Sequence, residues 1–175
     1  MFQYGEISIR NVEDRDLDDM RRLRNDPSTW MMLTEIGMID SEGQRQWFQR
    51  MSLANDRKYY VVCDAEHDFI GIVRTDEIDR INRSIRIGAD IIQTLRGKGY
   101  GTRLYGLLKA FCFDHLNMHR VWLAVIDTNE TAFRLYEKHG FKVEGRYREA
   151  IFRDGLYHDY VVMSILENEY REGKQ

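Results

Sequence analysis

Between Ile91 and Thr102 the chain reads Ile-Ile-Gln-Thr-Leu-Arg-Gly-Lys-Gly-Tyr-Gly-Thr, with Gly97, Gly99 and Gly101 at every second position. A β-rich run leads into this segment and an amphipathic helical pattern leads out of it. Glycine lets the backbone bend sharply and lets its N–H groups approach a ligand with no side chain in the way. A helix start adds unpaired N–H donors and a partial positive charge, which together suit a phosphate. Arg96 and Lys98 would bring further charge to that end. Two better-known phosphate loops are excluded. A P-loop needs Gly-Lys followed by Ser or Thr, whereas Lys98 is followed by Gly99; a dinucleotide fingerprint needs G-x-G-x-x-G, whereas these glycines run G-x-G-x-G. A plain strand-to-helix turn explains the glycines as well, so on their own they leave the matter open.

A second stretch narrows it. Asn129-Glu-Thr-Ala132-Phe-Arg-Leu135-Tyr136-Glu-Lys-His-Gly140-Phe141 is similar to the N-x-x-A-x-x-L-Y-x-x-x-G-F segment of the GNAT superfamily of N-acetyltransferases, with every fixed position met. Arg96-x-x-Gly99-x-Gly101 resembles the R/Q-x-x-G-x-G/A signature of the same family, and the distance between the two segments fits. The likeness runs from Ile7 to about Leu166. It implies acetyl-coenzyme A as co-substrate and no metal. The main chain of Arg96, Gly97, Lys98, Gly99, Tyr100, Gly101 and Thr102 would wrap the pyrophosphate, and the strand end carrying Ile91 and Gln93 would lead into that turn. Asn129 would hold the pantetheine arm, and Tyr136 would face the thioester sulfur. Ile9-Arg10, Arg24-Asn25-Asp26-Pro27 and the region from Gly145 to Met163 resemble one branch of the family. That branch holds ribosomal-protein N-terminal, polyamine and amino-sugar acetyltransferases, so these marks do not select the acceptor.

Acyl transfer from a thioester to an amine needs a neutral amine, a stabilised oxyanion and a protonated leaving thiolate. A lysine-like ammonium has a pKa near ~10, so a base or a dry pocket must help remove its proton at neutral pH. Tyr136 is the candidate acid, since a phenol is a donor at pH 7 and can recover its proton through water. A main-chain N–H near the end of the strand before Gln93 is the candidate for the oxyanion. Many relatives carry a glutamate two residues before the glycine matching Gly88; this chain has Arg86 there, which leaves the general base unassigned. Asp90, on the same strand face as Arg86, is the first alternative. Glu35, Asp76, Glu77 and His158 come after it, each more simply read as a solvated residue.

These side chains need elements to hold them. Glu6 to Val12 reads as a strand, Asp14 to Arg24 as a helix capped by Asp14, and Ser41-x-x-Gln44 as a capping box opening a helix with Trp47, Phe48 and Met51 on one side. Tyr59 to Cys63 and Phe69 to Val73 read as a hairpin, and Ser84 to Ile92 continues the sheet. A helix from about Thr102 to His115 turns Leu104, Leu107, Leu108, Phe111 and Cys112 inward. Val121 to Ile126 is an uncharged strand, expected to be buried on both faces. Glu130 to Lys138 is a helix with Gly140 just past its end. From Phe141 onward a long hairpin turns at Arg153-Asp154-Gly155, where Asp-Gly favours a type I′ turn. The expected fold is α/β (α+β): a single domain over residues 1–175, with a mixed, mostly antiparallel sheet and helices on both faces.

Composition agrees with a packed domain. Of the 175 residues, 43% are hydrophobic and 12% aromatic, enough for a full core. The net charge of −3, with 26 basic residues scattered among 29 acidic ones, offers no nucleic-acid footprint. No apolar run suits a signal peptide or a membrane span. Cys63 and Cys112 sit in apolar runs without metal-ligand spacing and read as buried thiols, which points to the cytoplasm. The acceptor would be a small-molecule amine or a peptide N-terminus. Polyamines would suit Glu35, Asp76, Glu77 and Asp79, and an amino-sugar nucleotide would suit Arg74, Arg80, Arg83 and Arg86. A protein N-terminus would need an open groove, and polyamines rank behind the other two. Tyr147, Tyr157 and Tyr160 on the last hairpin would line a pocket wall or a homodimer contact. A non-catalytic acyl-CoA-binding module is the alternative function.

Overall fold

The computed structural model describes residues 1–34 and 37–173. One eight-stranded sheet has the order β1-β2-β3-β4-β5-β6-β8-β7. Its strands are β1 (Phe2–Tyr4), β2 (Ile7–Asn11), β3 (Lys58–Cys63), β4 (Gly71–Asp79), β5 (Ser84–Ile91), β6 (Arg120–Ile126), β7 (Lys142–Arg153) and β8 (Leu156–Leu166). Every neighbouring pair is antiparallel except β5 and β6. The helices are α1 (Leu17–Asn25), α2 (Pro27–Trp30), α3 (Ser41–Ser52), α4 (Tyr100–Ala110), α5 (Glu130–Lys138) and α6 (Glu167–Glu172).

Helices cover both faces, as expected. On one face α4 and the turn that follows it press Leu104, Leu107, Leu108, Phe111 and Cys112 against Ile7, Ile85, Ile87, Val121, Leu123, Val161 and Met163. Leu107 and Leu108 are fully buried, each worth about 1.5–3 kcal/mol relative to exposure. Past α4 the chain widens into a π turn at Phe111–His115. That turn buries three consecutive side chains, Phe111, Cys112 and Phe113, which regular 100° steps would spread around the helix. The opposite face is covered by α1, whose Met20 and Leu23 pack on Ile72 of β4 with Trp47 of α3 alongside.

Several local expectations shift. The first helix begins as a 3-10 turn, Asp14–Asp16. Its cap position is Glu13 rather than Asp14, and the Asp16 carboxylate accepts the Glu13 amide at 2.8 Å and the Arg10 guanidinium at 2.7 Å. Asp40, not Ser41, caps α3, because its carboxylate reaches the Gly43 amide at 2.6 Å. β6 alternates instead of burying both faces: Val121, Leu123 and Val125 point into the core, while Trp122 lies under the guanidinia of Arg86 and Arg120 at 5.3 and 5.5 Å. β1 and α6 have no counterpart in the sequence reading, and β4 runs six residues beyond Val73, through a bulge between Asp76 and Asp79. The last hairpin turns on Asp154 and Gly155, both at positive φ (50° and 80°), as a type I′ turn requires. Both cysteines are free and buried, and burial pushes the Cys112 thiol up to about 12.

Candidate active site

The site is made by a parting of two strands. β5 and β6 pair only at Ser84, Ile85 and Arg86 against Arg120, Val121 and Trp122. Beyond that point β5 keeps β4 on one side through Ile91, while β6 keeps β8 through Ile126. The opposed edges of Ile87–Ile91 and Leu123–Ile126 therefore leave a slot with backbone groups that no strand satisfies, a natural place for an extended, amide-bearing arm.

The glycine turn sits at the end of that slot. After a 3-10 turn, Gln93–Leu95, the chain reaches Gly97 and Gly99 at φ of +75° and +82°, the left-handed region that suits glycine. Gly99 is the N-cap of α4, which starts at Tyr100, two residues before the expected Thr102. No atom lies within 4 Å of the place where a Cβ would stand on Gly97 or Gly99, so the outer side of the turn is open to a ligand. Gly101 has another reason to be glycine. A Cβ there would meet Leu135 at 3.0 Å, so this residue lets α5, the helix of Tyr136, approach α4.

The side chains of the turn divide their work differently from expectation. Lys98 and Thr102 are exposed at the turn. Arg96 faces away from the turn's outer side: it donates to the Ile91 carbonyl (2.8 Å), the Ser28 carbonyl (3.1 Å), the Ser28 hydroxyl (2.8 Å) and the Thr29 hydroxyl (2.6 Å). It ties the turn to α2. Tyr100 buries its ring and donates its hydroxyl to Asp64 at 2.9 Å, with Arg103 stacked over it at 4.2 Å. Asp64 also binds His67 at 3.0 Å, and these bonds outweigh its desolvation to hold its carboxyl down at about 2. The turn is thus bracketed by α2 on one side and by the β3–β4 loop on the other. Neither bracket has a local sequence signature, since each joins residues more than thirty positions apart.

Asn129 caps α5 by accepting the Ala132 amide at 3.1 Å on its side-chain oxygen. Tyr136 is half-buried, with its ring 4.9 Å from that of Tyr105 and 6.1 Å from that of Phe141. Burial raises the Tyr136 phenol above its ordinary value, partly offset by Tyr105, so it is protonated at neutral pH.

The sheet face under α1 carries the charged groups. The register sets Arg74 opposite Gly88 and Asp76 opposite Arg86. With no Cβ on Gly88, the Arg74 guanidinium lies flat against β5, in space that a Cβ would enter at 2.6 Å. Arg74 pairs with Asp90 at 3.7 Å and Asp76 at 3.8 Å, while Arg86 reaches Asp76 at 3.7 Å, Glu77 at 3.1 Å and the Tyr160 hydroxyl at 3.0 Å. Burial raises the Asp90 carboxyl, with Arg74 the main opposing influence, and burial likewise raises Asp76 against Arg86. Arg86 is therefore held in place by Asp76, Glu77 and Tyr160. Of the later candidates, Glu77 is exposed and paired with Arg86, and His158 is paired with Asp127 at 3.3 Å; Glu35 lies outside the described residues. Among the described residues, no cluster of three or more His, Cys, Asp or Glu could hold a metal ion, and no helix is long and apolar enough to cross a membrane.

Comparison with known proteins agrees with this geometry. A family model described as an acetyltransferase (GNAT) domain matches residues 6–142. The chain is 30% identical to spermidine N(1)-acetyltransferase of Vibrio cholerae, over 95% of this chain and 96% of that one. It is 33% identical to spermidine N(1)-acetyltransferase of Escherichia coli K12, over 94% and 88%. A crystal structure of the Vibrio cholerae spermidine N-acetyltransferase in complex with CoA and spermine superposes with a TM-score of 0.91 at 29% identity, covering 96% of this chain and 99% of that one. With the slot, the glycine turn and the family match in agreement, the chain belongs to the GNAT acetyltransferases and is an N-acetyltransferase that moves an acetyl group from acetyl-CoA to an amine.

Proposed function

We propose that the acetyl group passes directly to a primary amine lying on the α1 face of the slot, with Tyr136 as the acid. The parting of β5 from β6 carries this reading, with the Tyr136 phenol near enough to Asp90 of β5 to be influenced by its charge. The main chain from Arg96 to Thr102 would hold the pyrophosphate, Asn129 would bind the arm, and an N–H on the open edge of β5 would bind the carbonyl oxygen. Asp90 would take the amine proton, directly or through water; its raised pKa makes it a stronger base than an ordinary carboxylate. As the amine nitrogen bonds to the carbonyl carbon, the C–S bond breaks with its electron pair on sulfur, and the Tyr136 proton goes to that sulfur.

For the acceptor, the spermidine-acetylating relatives support a polyamine over a nucleotide sugar, which reverses the order drawn from the sequence. Arg83 is engaged with Asn117 and Glu167, and Arg74 and Arg86 are paired with Asp90, Asp76 and Glu77, which leaves Arg80 as the exposed one of the four arginines that would suit a phosphate. Asp76, Glu77 and Asp90 hold Arg74 and Arg86, so the ammonium groups of a polyamine would compete with these two arginines for the same carboxylates. Release of free thiol from acetyl-CoA should be fastest with spermidine in a panel that also holds an amino-sugar nucleotide and a short peptide. No thiol release with any amine would make the chain an acyl-CoA-binding module instead.

Arg96 gives a separate expectation. Because its side chain holds α2 and not the open side of the turn, Arg96→Gln should leave the CoA Kd within about threefold. The amine KM should rise roughly 10-fold, the scale of about 1.4 kcal/mol of lost hydrogen bonding. Calorimetry with CoA and steady-state kinetics check this, and a selective loss of CoA affinity would return the guanidinium to the phosphate.

A further inference from the structure

Tyr105 stands on the buried side of α4 with 3% of its surface exposed. Its hydroxyl is buried and makes no hydrogen bond of ordinary geometry among the described residues. Such a group costs stability unless something repays it, and replacing it by an apolar group of the same shape is close to neutral or stabilising. A phenylalanine would fill this position equally well, so the hydroxyl calls for an explanation. Its ring is packed by Tyr136 at 4.9 Å, His139 at 5.9 Å and Phe141 at 6.2 Å. Of these, only Tyr136 offers a hydroxyl, and the two phenols are near enough to shift each other's titration: Tyr105 holds Tyr136 down while burial and Tyr136 hold Tyr105 up. That direction is the one expected when Tyr105 is the donor and the Tyr136 oxygen the acceptor.

We propose that Tyr105 is a positioning residue for acetyl transfer, its buried hydroxyl donating a hydrogen bond to the Tyr136 oxygen as that phenol loses its proton to the departing sulfur. The inference rests on the acid role of Tyr136. When the O–H proton of Tyr136 moves to sulfur, negative charge gathers on the phenol oxygen until water returns a proton. A donor fixed beside that oxygen gains strength as the charge grows, so it favours the transition state over the ground state. Gly101 contributes by letting α5 close on α4, the helix of Tyr105. The loose geometry at rest is consistent with a contact that tightens only as charge develops.

A double-mutant cycle on Tyr105→Phe and Tyr136→Phe tests this, with kcat and CoA affinity measured for each protein. Tyr105→Phe should lower kcat roughly 10- to 100-fold, the value of one hydrogen bond to a charged group. It should leave the CoA Kd unchanged and the melting temperature unchanged or higher. In the Tyr136→Phe background the same change should have no further effect on kcat. An unchanged kcat in the single variant overturns the inference, as does an equal loss in both backgrounds. A marked fall in melting temperature also overturns it, since the hydroxyl would then have a structural partner. Full activity of Tyr136→Phe would instead remove the acid role itself, which separates the two failures.

Discussion

Gly99→Asp is expected to weaken CoA binding by roughly 100-fold or more, with the protein still folded. Gly99 is the N-cap of α4 at φ +82°, and its outer side is open. An aspartate there would set a carboxylate against the pyrophosphate, and juxtaposed like charges cost several kcal/mol, where each ~1.4 kcal/mol is tenfold in Kd. The backbone itself is a competing cause, because a left-handed conformation costs an ordinary residue about 1–2 kcal/mol. Gly99→Asn separates the two. Asparagine has nearly the same shape and the same tolerance of this conformation but no charge, so it should lose far less affinity than aspartate. Calorimetric titration with CoA reads both. Equal losses would make the turn a purely structural requirement, and undiminished binding in folded Gly99→Asp would move the phosphate elsewhere.

The sequence carried the turn and α5 because their chemistry is local. Three glycines at alternate positions, and the run from Asn129 to Phe141, each specify a conformation within about a dozen residues. The inward set of α4 was legible for the same reason, since helical period and apolar spacing coincide there. Legibility ended where function depends on contacts across the chain. Arg96 is adjacent to the glycines in sequence, yet its guanidinium is spent on Ser28 and Thr29 of α2. Arg74 reads as a donor for the phosphates of a nucleotide acceptor until the register sets it opposite Gly88, where the missing Cβ admits its guanidinium. Tyr105 is not in the inward set that the apolar spacing of α4 picks out, yet it is buried beside Leu104. Nothing in the helical period distinguishes a buried hydroxyl without an ordinary hydrogen bond from one that meets water. Capping errors had a smaller cause: Asp40 and Ser41 are both good caps, and neighbouring geometry chose between them.

The acid role of Tyr136 predicts a loss confined to one constant. Tyr136→Phe removes a single oxygen and keeps the ring that packs on Tyr105 and Phe141, so the fold and the CoA Kd should be nearly unchanged. The loss should fall on kcat, by roughly 10²–10⁴-fold, the range for one positioned acid. Burial makes this phenol harder to ionise than free tyrosine, so at neutral pH it is present as the protonated donor and the effect should not need acid conditions to appear. Three outcomes can be told apart. A selective fall in kcat fits proton donation to the thiolate. A rise in the acetyl-CoA Kd alone would make the hydroxyl a binding contact in the slot. Full activity would mean that the thiolate leaves unprotonated or takes its proton from water, and the slot between β5 and β6 would then act by binding and orientation alone.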